Sequence, residues 1–413
     1  MTTSPHARAG LAGIAALACA GLTGIAVAAP AHAAAPDATS GAHFLASELA
    51  AGGDHFSVSS GGASYADYGL TIDGILGLDA ARTGQAEAQR AASYITKNAA
   101  AYNSYGKDVY AGATAKLLVF AQAQGLPTAG YLKDLKSLEQ PSGQFKDKSA
   151  SGDYSNTIGQ SLAIVGLTRA GQPDTAAVNF LLEQQCSNGG FRMTFTEKCT
   201  GDTDATSLAV QALSAAGGHR AQLTKAVNFI AGKQRANGGV VEPAAQAAPN
   251  TNSTGLAAVA FALAGRSAEA AKAKSFVTGL QFGCSAPAAL RGGFAFDRKS
   301  FDAQLTKGAK ATAGDKEHRA SAQAMLALTQ QPYLKISAGG SATASAPSCA
   351  PGGPTSSATS TASATSTTTG PAIITDGSAS GGGNTGVLLA GAAVLGGVAL
   401  AGSGLRRRLR SQR

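Results

Sequence analysis

A short pattern of Gln, Gly and an aromatic or branched residue returns along the chain at nearly constant intervals. In "EQQCSNGGFRMTF" Gln185 is followed by Gly189 and then by Phe191, and "KQRANGGVVEP", "EQPSGQFKD" and "LQFGCSAPAALRGGFAFD" carry related versions. The glutamines that begin the four copies lie 45, 49 and 47 residues apart: Gln140, Gln185, Gln234 and Gln281. A period in this range marks a repeat architecture, in which each copy is one structural unit.

The segments around these copies predict helices of two alternating kinds. "TSLAVQALSAAG" and "TGLAAVAFALAG" are apolar nearly all round, whereas "TAAVNFLLEQQ" has a single apolar stripe. A helix that is apolar on every side is buried, so the first kind should form an inner ring and the second an outer ring. In this arrangement the Gly permits a tight return of the backbone, and the Gln satisfies free backbone groups at a helix end.

The repeat resembles the QxxxGxW repeat of the prenyltransferase and squalene-cyclase superfamily. Phe or Val replaces the Trp, and the chain contains no Trp at all. The resemblance covers residues 43–336 and implies an all-α fold, an α/α toroid of the α6–α6 barrel type. Because the repeat is structural in that superfamily, the resemblance implies a fold more than a chemistry.

The two ends of the chain predict export and a membrane anchor. Residues 1–33 read as a signal peptide that ends in small residues. A Ser/Thr/Ala/Gly-rich stalk, predicted to be disordered, spans 337–385, and an uncharged segment at 386–405 is long enough to cross a bilayer. The basic residues at 406–413 place the C-terminus in the cytoplasm. A removed cell-wall sorting tail is the alternative, but no LPxTG-like motif precedes it.

The formal net charge of +9 does not indicate a nucleic-acid partner. Five arginines of the excess lie in the tail beyond residue 405, where the membrane explains them. The remaining exported part is close to neutral, so no nucleic-acid surface is expected.

Four of the five cysteines remain after the signal peptide, and an even number in an oxidising compartment predicts two disulfides. Three connectivities are possible; the prediction is Cys186–Cys199 and Cys284–Cys349. No CxxC or clustered His supports a metal site, so no metal is expected.

Polar clusters precede the predicted inner helices, as in "ADYGLT", "GDYSNT" and "KEHRAS". If the inner helices are parallel, these clusters meet at one mouth and form a polar rim over an apolar funnel. Such residues are also ordinary N-caps, so capping alone is the competing interpretation. The ligand-binding candidates are Asp67, Tyr68, Asp153, Tyr154, Asn156, Asp202, Asp204, Asn252, His318 and Arg319.

Asp204 in "GDTDAT" is the single catalytic candidate. The stretch resembles the DxDDT motif of class II terpene cyclases, whose middle Asp acts as a general acid, but Ala205 replaces the next Asp. Aromatic residues, which steer carbocations, make up only 6% of the chain. His318 would match the zinc-binding His of the protein prenyltransferases. The other zinc ligands of that family form an Asp-x-Cys pair, and the residues before Cys199 do not match this pattern.

The layout of signal peptide, toroid and disulfides also resembles transcobalamin and intrinsic factor, which bind a corrinoid without chemistry. Their second, β-rich domain has no counterpart here. No resident cofactor is expected, and a corrinoid is one possible ligand.

The sequence therefore favours a membrane-anchored binding module for a small apolar or amphipathic ligand or a cell-envelope protein. A terpene-cyclase-like enzyme and a non-catalytic envelope scaffold remain the alternatives. The long basic segment 297–319 is predicted to be a lid or a surface loop.

Overall fold

The computed structural model describes residues 38–349, except 61, 196–197 and 243–247. The predicted signal peptide, most of the predicted stalk, the membrane segment 386–405 and the basic tail 406–413 lie outside these residues. The described part contains thirteen α-helices, and twelve of them alternate between two layers. Among them, no helix is both long and apolar enough to cross a bilayer.

Six helices form the inner layer and pack side by side in a closed ring. In ring order they are α2 (Tyr68–Ala81), α4 (Ala111–Ala123), α6 (Thr157–Arg169), α8 (Thr203–Ala216), α10 (Thr251–Leu263) and α13 (Asp315–Thr329). α13 packs against α2 and thereby closes the ring. Every residue of α6 from Thr157 to Leu167 is buried, as expected for a helix that is apolar on all sides.

Six outer helices pack around this ring. They are α1 (Ala38–Ala51), α3 (Gln85–Asn103), α5 (Ala129–Ser137), α7 (Thr175–Glu183), α9 (Arg220–Ala231) and α11 (Ser267–Thr278). α7 buries only Ala177, Val178, Phe180 and Leu181, so its apolar stripe faces the inner layer. The predicted α/α toroid of paired inner and outer helices is confirmed.

Two features depart from the predicted element pattern. Three antiparallel hairpins precede α2, α4 and α8: β1 (Ser57–Ser60) with β2 (Ala63–Ala66), β3 (Ser104–Tyr105) with β4 (Asp108–Val109), and β5 (Phe191–Arg192) with β6 (Gly201–Asp202). A thirteenth helix, α12 (Arg298–Thr306), lies within the segment predicted to be a loop. Asp297 caps this helix by accepting the Ser300 N–H at 2.6 Å.

The repeat pattern joins each unit to the next. Gln185 Nε2 donates to the Gly189 carbonyl at 3.0 Å and to the Gln222 carbonyl of α9 at 2.9 Å. Gly189 has φ 89°, and a Cβ there would lie 2.5 Å from the carbonyl oxygen of Lys225. The Phe191 N–H donates to Thr206 Oγ1 of α8 at 2.8 Å. The pattern therefore fixes the spacing between neighbouring helix pairs.

The shortened first copy achieves the same contacts with a different glutamine. Gln140 Nε2 reaches only the nearby Leu138 carbonyl, at 3.3 Å. Gln160 on α6 donates instead to the carbonyls of Gly143 and Ala177, at 2.9 and 3.1 Å. The sequence pattern correctly located the loop that contains Gly143. It did not identify Gln160 as the residue whose side chain hydrogen-bonds to that loop.

Both predicted disulfides are present. Cys186 pairs with Cys199 and Cys284 with Cys349, each with a Cα–Cα distance of 5.4 Å. They are consistent with an oxidising compartment.

Residues 330–349, here called the C-terminal strap, correct the predicted start of the stalk at 337. The Ala338 N–H donates to the Ala123 carbonyl at the end of α4 at 2.8 Å, and the Ser341 N–H donates to the Arg82 carbonyl after α2 at 3.0 Å. The Gly339 N–H donates to Gln85 Oε1 at 2.8 Å. The strap makes these hydrogen bonds with its backbone groups, which do not depend on the side chains. A Ser- and Gly-rich segment can therefore be bound to the toroid, although its composition predicted a disordered stalk. Residues 337–349 thus belong to the folded body.

Candidate functional site

One residue from each inner helix faces the barrel axis at the same height. It is the sixth residue of five inner helices and the ninth of α13, and these six residues line one internal cavity: Asp73, Lys116, Leu162, Leu208, Leu256 and Gln323. We call them the axial ring. The parallel inner helices share one register, so equivalent sequence positions meet at the axis.

The axial ring is divided into an apolar and a polar half. The consecutive helices α6, α8 and α10 each contribute a leucine, whereas α13, α2 and α4 contribute Gln323, Asp73 and Lys116. Lys116 Nζ lies 2.8 Å from Asp73 Oδ1, and the two side chains are 5% and 4% exposed. Gln323 is also buried, and its Oε1 accepts no hydrogen bond from the described residues.

A buried ion pair of this kind is not a simple source of stability. Removing two charges from water costs several kcal/mol per ion, and the attraction between them often fails to offset that cost. Buried charges in an otherwise apolar cavity are therefore candidates for ligand orientation. The cavity is narrow: about 20 Å³ admits the centre of a water molecule, which is room for about one or two waters.

Tyr333 of the strap forms the far side of the cavity. Its N–H donates to Gln211 Oε1 of α8 at 3.0 Å, and its carbonyl accepts from Arg169 Nη1 at the end of α6 at 2.5 Å. The strap therefore closes the barrel at the carboxyl ends of the inner helices.

Asp79 lies near the same end of α2 and is buried. Burial raises the pKa of its carboxyl to about 7, although hydrogen bonds from Gln85 and Gln124 and the charge of Arg169 act in the opposite direction. The group is thus close to half protonated at neutral pH.

Three sequence-predicted residues lie above the axial ring, toward the amino ends of the inner helices. Asp204, Asn252 and Arg319 each precede a ring residue by four positions, which places them on the same helix face one turn higher. Arg319 forms an ion pair with Asp67, the N-cap of α2, and a second with Asp315 at 3.0 Å. The rim is therefore polar on α8, α10 and α13.

Three carboxyl groups gather beside the first turn of α8. Asp202 caps the helix by accepting the Ala205 N–H at 2.8 Å, and Glu242 Oε2 accepts the Thr203 N–H at 3.3 Å. Burial, and then the negative charges of Asp204 and Glu242, raise the pKa of Asp202 well above its usual value. The Asp202 carboxyl is therefore held more readily in its protonated form than an exposed aspartate is.

Other predicted residues lie away from the axis. The Tyr68 ring lies 6.2 Å from the rings of Tyr94 and Tyr102 on α3. His318 stacks on Phe56 with a centroid distance of 4.6 Å, and its Nε2 lies 2.8 Å from Glu48 Oε2 of α1. Both side chains therefore fill the space between the inner and outer layers.

The polar residues before α6 hydrogen-bond within their own loop and to the first turn of α6. Asn156 caps α6 by accepting the Gly159 N–H at 2.9 Å. Asp153 accepts from Gln144 and from the Ser155 N–H, at 3.2 and 3.0 Å. The Tyr154 hydroxyl donates to the Ser151 carbonyl at 2.8 Å. These contacts match the capping interpretation.

Sequence reasoning missed Asp73, Lys116 and Glu242. Lys116 is the single charge in "AGATAKLLVFAQA", and Asp73 is one of two charges, with Asp79, in "YGLTIDGILGLDAA"; both helices are otherwise largely apolar. That signal could have identified them. Glu242 lies in the loop after the third repeat copy, and only the fold brings it to α8. In the described part of the chain, no group of three or more His, Cys, Asp or Glu residues could hold a metal ion.

Neither a protein-family model nor a curated protein matches the sequence. Solved structures do match the fold. A protein from Actinoplanes is 14% identical, with 72% of this chain and 99% of that chain covered and a TM-score of 0.50. The apo structure of a type II terpene cyclase from Scytonema is 14% identical, with 72% and 97% covered and a TM-score of 0.50. A variant of that cyclase with geranylgeranyl dihydroxybenzoate bound gives 14% identity, the same coverages and a TM-score of 0.52. At this identity the likeness establishes a shared fold: the chain has the terpene-cyclase-like α/α toroid.

Proposed function

We propose that this terpene-cyclase-like toroid is an exported, membrane-anchored binding module that holds a small amphipathic ligand in its axial cavity. The observation that carries the proposal is the division of the axial ring into three leucines and a polar half formed by Gln323, Asp73 and Lys116. A ligand pocket commonly combines an apolar wall with a few polar groups that fix orientation. A purely structural core would have little reason to bury two charges at the same point.

The proposed location outside the membrane favours capture of a ligand over metabolism of a cytoplasmic compound. Two disulfides suit an oxidising environment, and the predicted signal peptide and anchor at 386–405 would hold the toroid outside the membrane. A corrinoid, which the layout suggested, is far larger than the axial cavity and would have to bind at the rim. A cell-envelope protein would likewise contact the rim or the outer helices.

The proposal is tested by filling the cavity. Full-length protein in detergent is studied by native mass spectrometry for a bound mass, next to the Leu208→Phe variant. Leu213→Phe is the matched control, since Leu213 is fully buried on the same helix but does not line the cavity. The proposal predicts a bound small molecule that is lost only in Leu208→Phe. A mass that persists in Leu208→Phe, or a wild-type protein that takes up no molecule from a small-metabolite library, would refute it.

The carboxyl cluster supports a second candidate, acid catalysis on an isoprenoid. Burial and the charges of its neighbours raise the pKa of Asp202, and Glu242 supplies a carboxyl next to a motif in which Ala205 stands where class II cyclases carry Asp. Geranylgeranyl dihydroxybenzoate is a direct probe, because the Scytonema cyclase binds it. Cyclised product from wild-type protein, lost in Asp204→Asn and in Glu242→Gln, would establish this candidate. Unchanged substrate after incubation with folded protein would exclude cyclisation of this probe.

A further inference from the structure

We infer that the ligand of the axial cavity is a small aliphatic zwitterion, with an ammonium and a carboxylate on neighbouring atoms, as in an α-amino acid. This inference rests on the proposed function and names its ligand class. In the bound state the ligand's ammonium faces Asp73 and Gln323, its carboxylate faces Lys116, and its side chain contacts the three leucines.

The charges of the polar half select for a zwitterion. Asp73 and Lys116 neutralise each other in a buried site. A ligand with one charge would pair with one of them and leave the other buried without a partner, which typically costs about 3–5 kcal/mol. A neutral ligand could only hydrogen-bond these groups, without the attraction between opposite charges. A zwitterion pairs with both, so neither charge is left uncompensated.

Gln323 determines the orientation of the ligand. Gln323 lines the cavity, and its buried Oε1 accepts no hydrogen bond from the described residues. An ammonium group has three N–H donors, so it can bond Asp73 and Gln323 together. A carboxylate at the same place would meet the Asp73 carboxylate, so the opposite orientation is disfavoured.

The sequences of α2 and α4 carry glycine one turn above the ion pair. On α2 and α4 the residues four positions before Asp73 and Lys116 are Gly69 and Gly112. These helices therefore place no side chain of their own one turn above the pair. At the same height α8, α10 and α13 carry Asp204, Asn252 and Arg319. The polar half is thus the side of the cavity that its own helices cover least.

The present size of the cavity limits the aliphatic part. About 20 Å³ admits a water centre, so a bound ligand must displace that water and shift leucine rotamers or Tyr333. Short side chains, such as those of alanine and valine, require the smallest shift. Long or aromatic side chains should be rejected, since overpacking a core typically costs about 1–3 kcal/mol.

The test is calorimetric titration of full-length protein in detergent with L-valine, isobutyrate and isobutylamine. The last two probes carry one charge each and share the isopropyl group of L-valine. Saturable binding of L-valine at least about tenfold tighter than either single-charge probe is expected. The double variant Asp73→Leu/Lys116→Met should lose this preference, and Gln323→Leu should weaken L-valine several-fold. Arg90→Met, which removes an exposed cation of α3, is the control and should bind as wild type.

The outcomes separate this inference from the proposed function. If isobutyrate or isobutylamine binds as well as L-valine, and Leu208→Phe abolishes that binding, the zwitterion is wrong and the binding module stands. If neither L-valine nor L-alanine binds while native mass spectrometry shows another cavity ligand, the zwitterion is again wrong. If no probe binds and no cavity ligand is found, both proposals fail. The wild-type panel decides these cases even if a variant does not fold.

Discussion

Lys116 Nζ and Asp73 Oδ1 lie 2.8 Å apart at the centre of the toroid, on neighbouring inner helices and almost out of contact with solvent. Removing one partner leaves the other buried and charged. Lys116→Met should therefore lower the free energy of unfolding by about 3–5 kcal/mol. Asp73→Leu/Lys116→Met should lie within about 1 kcal/mol of wild type or above it. Urea unfolding followed by circular dichroism measures both, and equal losses in the single and double variants would contradict this account.

Gly189→Ala should be strongly destabilising. Gly189 has φ 89°, and an added Cβ would lie 2.5 Å from the Lys225 carbonyl of the next outer helix, so backbone has to move. A loss of more than about 2 kcal/mol is expected. Gly171→Ala is the matched control, since Gly171 has φ 69° with no atom near the added Cβ. Gly171→Ala should lower the free energy of unfolding by only about 1 kcal/mol, because a residue with a Cβ disfavours the left-handed backbone conformation. Similar thermal shifts for the two variants would show that the close contact does not matter.

The glutamines at and near the repeat should contribute unequally to the free energy of unfolding, and their sequence spacing does not indicate which contribute most. Gln185→Ala removes two hydrogen bonds to backbone carbonyls. Gln160→Ala removes an equivalent pair and also the acceptor of the Phe145 N–H. Each should cost about 1–3 kcal/mol. Gln140→Ala removes one long, local bond and should cost less than about 1 kcal/mol. Chemical unfolding of the three variants checks the order, and a larger loss for Gln140→Ala would overturn it.

Stability should fall as pH rises through the range set by Asp79. Its pKa is raised to about 7 in the folded protein from 3.8, so the native state holds a proton that the unfolded chain releases. This contribution is complete below about pH 4 and is lost as pH approaches 7. Asp79→Asn keeps a neutral side chain at every pH. It should therefore match wild type near pH 4 and gain up to about 4 kcal/mol near pH 8. Melting temperatures at both pH values test this, and an equal offset at both would exclude Asp79 as the cause.

The two disulfides should contribute unequally. Cys284–Cys349 closes a separation of 65 residues, whereas Cys186–Cys199 closes 13. In the chain-entropy model the longer loop contributes about 1–2 kcal/mol more to stability. Replacing Cys284 and Cys349 by Ser should also speed amide exchange at Ala338 and Ser341 of the strap. Replacing Cys186 and Cys199 should leave those amides protected. Unchanged exchange in both double variants would show that hydrogen bonds alone hold the strap.

The fold was readable from the sequence because it depends on patterns that repeat. The period of the Gln–Gly pattern and the two kinds of helix predicted the paired layers and the tight returns at Gly189 and Gly238. The axial pair was not readable, because Asp73 and Lys116 meet only when two inner helices are neighbours. His318 and Arg319 were both predicted at the rim. Consecutive residues of an α-helix point about 100° apart, so the two side chains cannot both face the axis. Arg319 accordingly faces the axis while His318 packs against α1. The strap was missed because backbone bonds hold it.

The bond between Cys284 and Cys349 determines how the toroid would carry a mechanical load. Cys349 is the last residue that the structure describes, and the strap before it seals one end of the barrel through single backbone hydrogen bonds. A pull applied to the chain after Cys349 reaches Cys284 through a covalent bond before it reaches Tyr333. The disulfide would therefore transmit such a force to the loop after α11, and the strap residues that close the cavity would not carry it.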